Sequence, residues 1–457
     1  MKNERGSVTL FVLISMLFFL IIVITAYVSA SNKLQGQNEE IAQIKASYEQ
    51  DLSDEALLQL YNKVTRTREW LSGSGTLEDT YKIYTIEDLV EFSRRSNDAT
   101  NPKTFAGQYV ELMNDLDFKR DNSYEKADRT DFGDINEDGT VEDLKTELTT
   151  GSGWHAIGNG SDFSGVFLGN EKQIKNLYVN STKSNQGLFG VSTGTIKDIT
   201  VRGEVKSTGS RIAGIVGYNS RYGKVINCNS YVNVDGGSRS GGIAGQAWNS
   251  EINNCSNFGI INGGNSTGGI VGYLNSGSIS NGRNYMDING REECVGGICG
   301  HFYNGKIELS LNIADVRNTG AATGGIVGYS NVDANGTIIN CYNAGLIIGS
   351  DSAGGIFGQG TISIYNCYNN KEVSGNSNVH SIAGIAGSGN IVETNCYYLS
   401  TLSATDSGAT ALPAETMTSS DKTAFVDLLN AGQTDLPWQL DTSNINGGYP
   451  ILKWQTE

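Results

Sequence analysis

Gly187-Leu188-Phe189-Gly190 opens a series that decides the fold. Gly-Ile-x-Gly follows from Gly214, Gly242, Gly269, Gly297, Gly325, Gly355 and Gly384, at steps of 27, 28, 27, 28, 28, 30 and 29 residues. Eight copies at so even a period mark one supersecondary unit stacked on its neighbours. Working outward, a second constant point stands 12 to 16 residues after each Gly-Ile-x-Gly start: Cys228, Cys255, Cys341, Cys367 and Cys396, with Gly282 and Ser310 in the two copies without Cys. Two residues later come Asn257, Asn284, Asn312, Asn343 and Asn369, with Ser230 and Tyr398 at the ends. Asn tolerates the left-handed conformation of a tight turn, and stacked Asn side chains can hydrogen-bond along a pile.

The runs between these points are short and β-branched or aromatic, with Gly at the corners, which is strand-and-turn chemistry. Proline occurs only at 102, 413, 437 and 450. Its absence in between fits strands paired on both sides, where every N–H is wanted. These patterns predict a mainly β chain: a parallel β-helix or β-solenoid of about nine coils, rising about 4.8 Å per coil to a rod of roughly 40 Å. Propeller blades need a longer period, and the Leu-x-x-Leu-x-Leu pattern of leucine-rich repeats is missing.

Gly187-Leu188-Phe189-Gly190 and its kin resemble the GLUG repeat of bacterial surface proteins, which also occurs in regions attached to IgA-cleaving metallopeptidases. Trp154-His155-Ala156-Ile157-Gly158, Phe163-Ser164-Gly165-Val166-Phe167 and Ile174-Lys175-Asn176-Leu177 are similar to that family's lead-in, and Asn446 through Trp454 to its closing segment. The resemblance spans roughly 76–457 and implies a surface β-solenoid. It does not bring protease chemistry: His-Glu-x-x-His is absent, and the histidines are His155, His301 and His380.

The net charge of −16 is uneven. Residues 151–400 carry 15 acids and 15 bases, whereas 76–150 carry 19 and 9. A neutral solenoid with acidic flanks offers no basic face and argues against nucleic acid as a partner. Seven cysteines, five at one repeat position, read as small buried hydrophobes rather than as disulfides.

Residues 7–28 are uncharged and long enough to span a bilayer. Lys2 and Arg5 precede them, which places residues 1–6 in the cytoplasm and the bulk outside. The expected protein is thus single-pass in the cell membrane. Cleavage after Ala30 is one alternative. Another is a leader similar to type IV pilins, cut after Gly6, with Phe11 where pilins carry Glu. Residues 29–75 read as a helical stalk and linker. Residues 76–153 read as an α+β lead-in that covers the open end, with a capping box at Thr85 and Asp88 and a strand from Tyr109 to Met113. The solenoid is assigned to 154–400. Residues 401–457 read as a C-terminal cap, with a helix from Thr418 to Asn430 and Trp438 and Trp454 closing the far end.

Two candidate sites stand out. Asp134, Asn136, Asp138, Thr140 and Glu142 match the first part of a calcium loop, with Lys145 where an acid should close it; calcium is the one cofactor the sequence suggests. Tyr342, Tyr368 and Tyr397 each follow a ladder Cys, so they point outward if Cys points in. They predict an exposed aromatic strip for a glycan or protein ligand. A second row, Tyr218, Tyr273 and Tyr329, recurs on alternate coils and reads as strand-forming surface tyrosine. The expected function is non-enzymatic: a membrane-anchored surface solenoid for adhesion or ligand binding. The alternatives are a pilin-like fibre or secretion component and a polysaccharide-acting β-helix enzyme. Such an enzyme needs clustered carboxylates, yet only Asp287 and Asp315 share a repeat register.

Overall fold

The computed structural model describes residues 71–119, 135, 137–140, 144–385, 389–404, 406, 408–420 and 425–456. The apolar segment 7–28 and the stalk 29–70 lie outside them. No helix among the described residues is long and apolar enough to cross a membrane.

The repeats wind into a stack of parallel rungs, a β-solenoid of about ten turns. One ladder runs from Tyr81–Ile83 through Tyr109–Leu112 and Val166–Ser181, then coil by coil to Ile391–Thr394. The expected nine coils grow by one because the lead-in supplies rungs of its own. Tyr109 pairs with Val166, and Tyr81 pairs with Val110. A second sheet of seven strands, from Ile212–Ala213 to Val379–His380, stacks beside the first. The helix Ile86–Ser96 begins at the Thr85/Asp88 capping box and lays Leu89 and Phe92 over the first coils. Phe92 meets Phe105, Phe163 and Phe167 there, and the open end is covered by rings.

The motif has a steric reason. Its Ile (Ile243, Ile270, Ile298, Ile326, Ile356) is buried from coil to coil, each worth about 1.5–3 kcal/mol in transfer terms. Its first Gly abuts the Asn ladder. A Cβ on Gly269 would stand 2.5 Å from Asn284 Cγ, and one on Gly297 2.5 Å from Asn312 Cγ. The ladder is continuous: Asn257 Nδ2 donates to Asn284 Oδ1 (2.8 Å), Asn284 to Asn312 (2.7 Å), Asn312 to Asn343 (2.7 Å) and Asn343 to Asn369 (2.8 Å). Each amide also donates to the carbonyl two residues on, as Asn312 does to Ala314 at 2.8 Å. These Asn lie within strands. The left-handed corner falls three residues earlier, at Asn227, Asn254, Asn281, Leu309, Asn340, Asn366 and Asn395, with φ between 50° and 55°. Two Asn rows thus do the two jobs that the repeat pattern assigns to one.

The ladder thiols are buried and free. Cys255 Sγ donates to Asn253 O and Cys341 Sγ to Ile339 O, both at 3.3 Å. Ser310 Oγ makes the same bond to Glu308 O at 2.7 Å, which explains Ser in that register.

One expectation about the far end is corrected and another is narrowed. The last motif copy is not the one at Gly384: Phe357 pairs with Ala383, so Ser381-Ile382-Ala383-Gly384 takes the place, a step of 26 residues rather than 29. Gly is dispensable at Ser381 because Tyr398, not Asn, fills the ladder position of that coil. Of the segment 401–457, the first part covers the last coil, where Thr410–Leu412 pairs with Tyr397–Leu399, but the part that carries Trp438 and Trp454 does not close that end. It folds back along the flank: Trp454 Nε1 donates to Leu309 O at 3.1 Å, and Gln433 Nε2 to Asn340 Oδ1 at 2.9 Å. Its helix is Phe425–Asn430, and Thr418 is the C-cap of the short helix Ala414–Met417. In that first part Asp406 Oδ2 accepts from the N–H groups of Ile382 (3.2 Å) and Ala383 (3.0 Å) of the final coil.

Candidate functional site

The solenoid sets one outward residue of each coil directly above its neighbour. Register pairs Tyr218 with Gln246, Gln246 with Tyr273, Tyr273 with His301, His301 with Tyr329, and Tyr329 with Gln359. The alternate-coil tyrosines are therefore one row, with Gln246 and His301 between them. The ring centroids of Tyr273 and His301 lie 4.6 Å apart, and those of His301 and Tyr329 5.1 Å apart. Facing this row is the edge of the seven-stranded sheet, where side chains shrink along the axis from Arg239 to Ser266, Cys294 and Ala322. The change in size opens a cleft of about 500 Å³ between the two rows, within the range of small-ligand sites.

Burial holds His301 below the usual histidine range, and the Arg239 charge adds to it; the imidazole is neutral at ordinary pH. Its Nε2 lies 2.6 Å from Asn331 Oδ1. Burial pushes the Cys294 thiol up to about 12, with Glu293 adding to the shift, so the thiolate is disfavoured. Glu293 stands on the exposed rim, and Asn265 Nδ2 donates to its Oε2 at 3.3 Å. At the other end Arg239 lies over the Tyr273 ring, Cζ 5.2 Å from its centroid. A cleft of neutral ring faces, amides and hydroxyls, with a cation at one end and a carboxylate on the rim, can hold a hydroxylated ring.

The expected aromatic strip is placed differently. Tyr342, Tyr368 and Tyr397 do point away from the solenoid core and stack in register, but the C-terminal segment covers them. Tyr342 is 1% and Tyr368 0% exposed. Trp438 packs against both rings, and Phe425 against Tyr368 and Tyr397. Tyr368 Oη donates to Pro450 O at 2.5 Å. The strip is the seat of the chain's own cap rather than an exposed surface. Another row, Tyr231, Phe258 and Tyr285, escaped the sequence reading. Its rings stack face to face at 4.4 and 4.8 Å, so their faces serve one another.

Of the acidic loop, Asp134, Asn136 and Glu142 lie outside the described residues. Asp138 Oδ1 accepts from the Thr140 N–H and hydroxyl at 2.9 and 2.6 Å. Glu137 ties the loop to the first coils through Lys183 at 2.5 Å. No metal-holding group of His, Cys, Asp or Glu occurs among the described residues. Asp287 and Asp315 do meet across coils, and Arg317 bridges them at 3.0 and 2.5 Å.

Arg239, Glu293, Cys294 and His301 were missed as cleft residues. The available signal was positional: Arg211 and Arg239 both stand three residues before a Gly-Ile-x-Gly, and Tyr218, Tyr273 and Tyr329 four after the start of one.

The chain matches no family model, and no curated protein sequence matches it. Among solved structures it is similar to the crystal structure of a putative immunoglobulin A1 protease from Bacteroides ovatus, at 20% identity and a TM-score of 0.45, over 84% of this chain and 95% of that one.

Proposed function

We propose that this chain is a non-enzymatic saccharide-binding β-solenoid, held at the bacterial surface by residues 7–28 and used for adhesion. The observation that carries the reading is the cleft beside Tyr273, His301 and Tyr329, which runs along the coils as an extended ligand would. Its chemistry favours retention over turnover. One carboxylate, Glu293, lines it, with no second carboxylate beside it in the lining, and the Cys294 thiol is held protonated. Hydrolysis or elimination of a polysaccharide calls for paired acid and base groups.

The surface placement rests on the sequence of 7–28 and on the GLUG resemblance. Calcium at the Asp134–Glu142 loop belongs to the same proposal, as an ordering ion without a part in binding. Glycan-array binding by the full chain, repeated with Tyr329→Ala, tests the reading. Retention lost about tenfold in the variant is expected, as one ring–sugar contact of about 1–1.5 kcal/mol implies. Equal retention by both proteins would refute the cleft, and sugar release from any bound glycan would move the chain to the enzymes.

A further inference from the structure

Arg239 lines the N-terminal end of the cleft, and a second guanidinium, Arg211, stands one coil beyond it. Arg211 and Arg239 occupy the same register one coil apart, a separation of about 4.8 Å along the axis. Arg211 Nε and Arg239 Nη1 both donate to a single neutral acceptor, Gln246 Oε1, at 2.8 and 3.0 Å. Gln246 is buried, 5% exposed, and is fixed between Tyr218 and Tyr273 of the outward row. Arg211 also donates from Nη1 to Asn185 Oδ1 at 3.2 Å. Each guanidinium lies over a tyrosine, with Arg211 Cζ 4.7 Å from the Tyr218 centroid and Arg239 over Tyr273.

Neither arginine forms an ion pair among the described residues. Arg317 pairs with Asp287 and Asp315, and Arg291 with Asp235, whereas Arg202 and Arg283 also rest on neutral acceptors and rings. What distinguishes Arg211 and Arg239 is that two adjacent guanidiniums share one amide oxygen. Arg211 is held below the usual arginine range by burial, and next by the charge of Arg239. Two half-buried like charges anchored on one amide oxygen repel each other. Arg guanidinium forks favour a planar oxyanion in such a place.

We infer that Arg211 and Arg239 form the carboxylate subsite of the cleft, and that its ligand is an acidic saccharide whose uronate-type carboxylate lies on the arginine pair while the sugar ring faces Tyr273 and His301. The inference rests on the saccharide reading of the cleft and adds the ligand's charge and direction. The carboxylate end points toward the N-terminal coils. Glu293, two coils further on, accepts from hydroxyls and keeps a second carboxylate away from that end.

The test uses the full chain and pairs of oligosaccharides on an array and in calorimetry: uronate-bearing oligomers, the same oligomers with carboxyl groups reduced to alcohols, and sodium sulfate. The acidic member should bind about 10- to 100-fold tighter than its reduced partner, as hydrogen bonds to charged groups imply. Arg239→Gln should erase that difference while leaving residual binding of the reduced form. The comparison of acid with alcohol on the unaltered protein decides the matter even where the variant folds poorly. Equal binding of acid and alcohol overturns the subsite and leaves the saccharide cleft standing. Binding of no oligosaccharide overturns both. Sulfate binding as tightly as the uronate oligomers makes the pair a general oxyanion site and overturns the saccharide assignment.

Discussion

Asn312→Ala interrupts the buried amide ladder at its middle. The side chain donates to Asn343 Oδ1 (2.7 Å) and Ala314 O (2.8 Å) and accepts from Asn284 Nδ2 (2.7 Å). All three bonds are buried, so no water replaces them without entering the core. At about 1 kcal/mol net per bond, with a further penalty for the orphaned Ala314 carbonyl, the loss comes to about 3–4 kcal/mol. Asn257 is the control. It stands at the end of the ladder, donates to Asn284 and to Gly259 O, and takes only the longer 3.2 Å bond from Gly259 N. Its replacement by Ala should cost about 1 kcal/mol less. A long solenoid opens locally, so a global midpoint would blur the effect. Amide hydrogen exchange resolved by coil is the assay. The coils of Asn284, Asn312 and Asn343 should exchange about two orders of magnitude faster in Asn312→Ala, while the coils before Ser230 change little. Exchange in the affected coils within about threefold of the unaltered protein would refute the view that the ladder stabilises the stack.

Burial, and next the charge of Asp406, push the Glu393 carboxyl up to about 8. A raised carboxyl contributes stability below its unfolded value of 4.5 and loses that contribution as pH rises through about 8. Exchange at the last coil, corrected for its intrinsic pH dependence, should therefore quicken between those pH values. Glu393→Gln should flatten the profile; an unchanged profile in the variant would remove Glu393 as the cause. Tyr368→Ala removes the ring between Trp438 and Phe425 and should weaken cap docking by about 3–5 kcal/mol, so that limited proteolysis cuts within 413–456 first. A cap as resistant as before would show that the tyrosine strip is not its seat. Burial also pushes the thiols of Cys228 and Cys367 well up and that of Cys396 up to about 12. Iodoacetamide should leave the ladder thiols unmodified until denaturant is added, and rapid labelling of the native chain would contradict their burial.

The fold was legible because its cause is local and repeated. Each coil must bring a Gly against an Asn amide and an Ile into the core, so the same residues return at every turn, and register follows from counting. Position on the outer face was legible too: Tyr342, Tyr368 and Tyr397 point outward as alternation requires. Their exposure was not, because it depends on a later segment of the chain that folds back over them. Trp438 and Pro450 carry no mark in the sequence of which face they will meet. The cleft was hidden for a related reason. It is made by what is missing from the repeat, as Arg211 and Arg239 give way to Ser266, Cys294 and Ala322 in the same register, and a search for recurrence passes over the coils where recurrence stops. In a solenoid the constant positions specify the stack, so ligand chemistry has to be written in the positions that vary. The two arginines sharing Gln246 are such a departure. Arg283 also rests half-buried on neutral acceptors, but among the described residues only Arg211 and Arg239 place two guanidiniums on one amide oxygen.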